Sequence, residues 1–95
     1  MPTTATGGGG ALAATARIVG GVIADCARGA EAATALSEQV TVQTERMVAV
    51  LGGGPPHEVQ ESVRRSQAAR ERLEQAGAAL LECAEALRAF LVNRT

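Results

Sequence analysis

The chain has 95 residues, one domain at most, with a net charge of −1 and 20% charged side chains. All nine basic residues are Arg, and the near balance of sign excludes a dedicated nucleic-acid binder, which carries a basic surplus. Apolar residues make up 46%, but much of that is Ala and the only aromatic is Phe90, so a thick core of large side chains is excluded too.

In chain order, residues 1–12 read as a disordered Gly-rich tail, because four consecutive glycines, Gly7 to Gly10, lose too much backbone entropy on ordering. A first helix is predicted over about residues 13–51. Small or apolar residues recur there at steps of three and four, including Val22, Gly29, Leu36, Val40 and Met47. Gly20-Gly21 is a weak point, costing about 2 kcal/mol relative to two alanines. Next comes Gly52-Gly53-Gly54-Pro55-Pro56, a turn over residues 52–55. Gly52 suits the left-handed residue that ends a helix, and the prolines forbid continuation while presetting the entry to the next.

A second helix is predicted over about residues 56–92. Glu58 complements the dipole of its first turn. Val59, Leu73, Gly77, Leu80 and Leu87 repeat the same spacing on it, and residues 93–95 read as a frayed end. Two such stripes joined by a short turn describe an all-α antiparallel two-helix hairpin, coiled-coil-like, with those ten residues along its seam. Level residues then have indices summing to about 109, which sets Leu36 by Leu73 and Gly29 by Leu80.

Cys26 and Cys83, the only cysteines, fall level on opposite helices. Two readings stand: a disulfide stapling the open end in an oxidising compartment, or two small apolar core residues. Neither leads to a metal, since no third ligand lies near either thiol. The three glycines are no phosphate loop, because prolines follow and a helix precedes them. His57 reads as a first-turn surface residue, since no pocket accompanies it and Ser62 is the only hydroxyl nearby on its helix. The Arg64, Arg65, Arg70 and Arg72 run is interleaved with Glu, the pattern of a solvated face. No catalytic residue, cofactor or small-molecule substrate is therefore expected.

A two-helix hairpin buries only one stripe per helix, and a core this small rarely supplies more than about 3–5 kcal/mol. Ile18, Ile23, Val42, Val48, Leu81 and Phe90 lie off the seam and form the candidate partner surface. The expected answer is a four-helix bundle, made as a homodimer or with a related hairpin. No run approaches about 18 consecutive apolar residues, so no membrane span is expected. Residues 1–10 lack the basic and apolar regions of a cleavable signal peptide. The expected location is cytoplasmic, or secreted by a route that reads no such signal.

Two long helices, about 100 residues and a Gly-containing midpoint turn resemble the WXG-type helical hairpins of type VII (ESX) secretion in actinobacteria. The resemblance covers about residues 16–92. Where the family has Trp-X-Gly this chain has Leu51-Gly52-Gly53, and the C-terminal Tyr with an acidic residue four positions on is replaced by Phe90 and Arg94. The resemblance implies a non-enzymatic interaction protein, a secretion-related substrate or an accessory partner. The alternative is an intracellular coiled-coil adaptor or regulatory protein with no secretion role.

Overall fold

The structure, a computed structural model, describes residues 2–51 and 56–94, with side chains over 10–51 and 56–93. Helix α1 runs Pro2–Leu51 and helix α2 runs His57–Arg94. They lie antiparallel: Gly29 meets Leu80, Ser37 meets Glu74 and Thr41 meets Arg70, so partners descend along α2 as the chain ascends α1. The turn residues Gly52, Gly53, Gly54 and Pro55 lie outside the described residues. Just after them, the Val59 and Gln60 amides both donate to the Pro56 carbonyl, at 3.0 and 3.1 Å, and close the first turn of α2. Glu58 sits in that turn, where a negative charge complements the helix dipole.

The helix starts earlier than the sequence suggests. α1 begins at Pro2 rather than about residue 13, and passes through Gly20-Gly21 without a break. Once a helix is nucleated, each further residue adds a hydrogen bond, which offsets a local run of poor helix formers. In the register set by Gly29 and Leu80, the last turn of α2 lies level with about residue 15, so α1 overhangs it by about 20 Å.

The hairpin is a rod of 78 × 17 × 16 Å with a radius of gyration of 21.9 Å, against about 12 Å for a compact domain of this length. Its accessible surface is 6902 Å², well above the roughly 5,100 Å² of a compact monomer of the same mass.

The line of closest approach is occupied by the smallest residues. Cys26, Ala30, Ala33 and Ser37 are buried on α1, as are Gly77 and Ala84 on α2. A Cβ on Gly77 would stand 3.5 Å from the Ala33 Cβ and 3.7 Å from the Ala30 carbonyl oxygen, so the two backbones nearly touch. Val59, Leu73, Leu80 and Leu87 flank this line half-buried on α2, as do Val40 and Met47 on α1. Val22 and Leu36 do not line the seam as the spacing suggests: they are 42% and 49% exposed. On α1 the inward steps run Cys26, Ala30, Ala33, Ser37, Val40 and Thr44, one residue later at every second position. Turning Ala30 and Ser37 inward in place of Gly29 and Leu36 lets the helices close along a long line of contacts, and the larger side chains are displaced to the flank.

Candidate functional site

The seam turns polar in its middle. The Ser37 hydroxyl donates to Glu74 Oε1 at 3.3 Å, Arg70 Nη1 donates to Thr41 Oγ1 at 3.3 Å, and Arg70 Nε stands 3.8 Å from the same Glu74 oxygen. These four residues tie the helices together where no large apolar pair does, and they fix the register. Arg70 thus meets Glu74 of its own helix and Thr41 of α1. Its Nε is shielded from solvent and has no hydrogen-bond partner among the described residues. Beside it lies a cleft of about 110 Å³ lined by Val40, Thr41, Thr44, Glu45, Ser66, Gln67 and Arg70. Thr44 stands with Ser66 in this lining. The cleft offers one guanidinium, one carboxylate, three hydroxyls and an amide, a set suited to holding a polar group. His57 begins α2 at the opposite end from the thiols and is exposed.

Helical geometry gives the hairpin two unlike flanks. On one, Thr34, Thr41, Glu31 and Glu38 of α1 stand beside Gln67, Glu74 and Leu81 of α2. Leu81 there overhangs a shallow groove with Ala27, Ala30, Glu31 and Thr34. On the other flank, Val22, Gly29 and Leu36 of α1 stand beside Ala69, Ala76 and Cys83 of α2, with Ile18 just behind. This second flank is apolar along most of its length. Ile18 is 69% exposed on it. The six residues read from sequence as one partner surface are therefore dispersed. Ile23 is half-buried at the seam, Val42 is on the back of α1, Val48 and Leu81 are on the polar flank, and Ile18 and Phe90 lie toward the apolar one.

Sequence reasoning placed Val22 and Leu36 inside and so missed their part in this exposed surface. The signal available was the adjacent small residues Ala30 and Ser37, each able to take the seam in place of the residue before it.

Cys26 and Cys83 are both free thiols, the first buried and the second exposed. Burial pushes the Cys26 thiol above its ordinary value, and the neighbouring Cys83 across the seam and the charge of Asp25 push it the same way. Among the described residues no three His, Cys, Asp or Glu side chains are grouped to hold a metal.

The composition of α1 bears on the expectation that no segment spans a membrane. Within Gly10–Leu51 an 18-residue stretch has mean hydropathy 1.4, no more than two charged residues and only 6% of its residues buried. By length and composition α1 is apolar enough to cross a bilayer, although the core helices of soluble proteins meet the same criterion. An unbroken apolar run is a stricter requirement than a mean, which is why the alanines, with Ile18, Val19, Val22 and Ile23, escape the first and satisfy the second.

No known protein family, no curated protein and no solved structure matches the chain.

Proposed function

We propose that this chain is a non-enzymatic protein–protein interaction module whose apolar flank is completed by a second helical hairpin, either another copy or a related chain, to give a four-helix bundle. The observation that carries this reading is the exposure of large apolar residues, Ile18, Val22 and Leu36 among them, on a rod with far more surface than its mass requires. Burial of such a flank contributes about 25 cal/mol per Å², enough to hold two thin hairpins where each alone is marginal. Rim charges such as Asp25, Arg46 and Arg72 would select the partner and its orientation.

The same reading accommodates a type VII secretion-related substrate or accessory partner, supported by the architectural resemblance, and equally an intracellular adaptor. Detection of the protein in culture fluid, dependent on a secretion ATPase, separates the two. Light scattering of the purified chain tests the module itself. A dimer mass, lost in Leu36→Glu with helicity retained, is the expected result; a monomer at all concentrations moves the search to a related hairpin.

The apolar stretch of α1 favours a second reading, association with a bilayer. Flotation with phosphatidylcholine vesicles distinguishes it, because a hairpin that uses its flank for another hairpin stays in the aqueous fraction.

A further inference from the structure

Both cysteines of the chain stand level on opposite helices in the register that sets Gly29 by Leu80, and they differ in one respect that matters chemically: one is buried and the other is open to solvent. Ala30 and Ala84 fill the seam beside the thiols, and about two turns along it a Cβ on Gly77 would contact Ala33 at 3.5 Å. A disulfide needs Cα atoms about 5.5–6 Å apart. With axes about 8 Å apart and each Cα about 2.3 Å out from its axis, an inward Cα on α1 and a flank Cα level with it on α2 come within about 6 Å.

We propose that Cys83 and Cys26 form an oxidative modification site, in which Cys83 receives a low-molecular-weight disulfide and Cys26 resolves it into an intramolecular bridge joining α1 to α2. In the first step the Cys83 thiolate, its proton lost to solvent, attacks one sulfur of the oxidant. A mixed disulfide forms, the oxidant's S–S bond breaks and one small thiolate leaves. In the second step Cys26 Sγ, giving up its proton, attacks Cys83 Sγ and expels the second small thiolate. The protein loses two protons and two electrons, and the oxidant is reduced to two thiols.

The division of roles follows from position. The exposed sulfur is the one a reagent can reach, while the buried one, held mostly as a thiol, becomes reactive once a disulfide is placed beside it. The product clamps the end of the hairpin remote from the turn. Turn and bridge then fix both ends of the paired region, and the loop closed between residues 26 and 83 is long, which favours a large effect on the unfolded chain.

The test uses the full chain treated with glutathione disulfide and analysed by intact mass, thiol counting and non-reducing denaturing gel. Expected is a monomeric species without free thiols and without bound glutathione, whose melting midpoint rises by on the order of 10 °C and returns with reductant. Cys26→Ser should stop at a stable glutathione adduct on Cys83, and the thiol of Cys83→Ser should resist reagent while the helices are folded. A lasting adduct on Cys83 of the wild type, cross-linked dimers as the main product, rapid labelling of Cys26 in the folded Cys83→Ser variant, or a bridge that leaves the midpoint unchanged would each overturn the proposal. Cys83 lies on the apolar flank that the proposed partner covers, so the treatment is repeated on Leu36→Glu: a Cys83 that stays unmodified there overturns the proposal, and one that reacts there but not in the wild type supports it and marks a covered flank.

Discussion

Leu80 lies over Gly29: a Cβ on that glycine would stand 2.9 Å from the Leu80 Cδ1. The atom in the way is the tip of a flexible, half-buried side chain, so it can swing aside at small cost. Gly29→Ala should therefore change stability by less than about 1 kcal/mol, the gain in helix propensity being offset by the displaced leucine. Gly77→Ala is the contrasting case. Its Cβ would meet Ala33 and Ala30 at ordinary van der Waals distance, so the substitution should stabilise by about 0.5–1 kcal/mol and raise the melting midpoint by about 2–8 °C. Thermal melts followed by circular dichroism compare the two directly.

Gly20 and Gly21 have nothing within 4 Å of the positions a side chain would take. Replacing both by Ala should stabilise α1 by about 2 kcal/mol without altering any contact. Urea unfolding checks this, and the slope of the transition should stay unchanged, since neither the rod nor its exposed surface differs.

Leu73 is half-buried at the seam while Leu36 is exposed on the apolar flank. Leu73→Arg places a guanidinium between helices whose whole core supplies only about 3–5 kcal/mol, so helicity should be lost. Leu36→Glu should keep the helicity and reduce self-association alone. Circular dichroism and sedimentation, run on both variants, separate folding from docking.

Glu61 sits beside two arginines in the second turn of α2. The hydrogen bond and charge of Arg64 hold its carboxyl below the ordinary value of 4.5, Arg65 adds to this, and partial burial opposes it. A depressed carboxylate favours the folded form at pH values above 4.5, and that contribution disappears as the pH falls through the lowered folded value. Helicity at the start of α2 should therefore decline as the pH falls below 4.5, less so at high salt, and Glu61→Gln should remove that part of the titration.

The doubling back of the chain was legible because two successive prolines, which lack amide hydrogens, cannot be carried inside a helix, and because the stripes on either side share a spacing. On α2 the inward side was also plain to read: Leu73 and Leu87 have charged or very small neighbours, and Leu80, though followed by Leu81, continues their spacing. On α1 the neighbours compete. Val22 and Ile23, Gly29 and Ala30, and Leu36 and Ser37 are adjacent pairs, and choosing between them requires knowing how near the backbones come. That distance is set by both helices together, and counting along one of them cannot supply it. The buried serine was hidden for the same reason. Ser37 is an acceptable core residue only because Glu74 arrives from the other helix to accept its proton.

A body only 16 Å thick has an unusual relation to its solvent. Every amide lies within about one helix radius of water, so hydrogen exchange in this hairpin should report the opening of single turns more than global unfolding. Protection should peak around Ala30, Ala33 and Ala84, where alanines and glycines leave no room for a water molecule. It should fade in both directions along the rod, and fastest through the overhanging start of α1, which has no companion helix to shelter it.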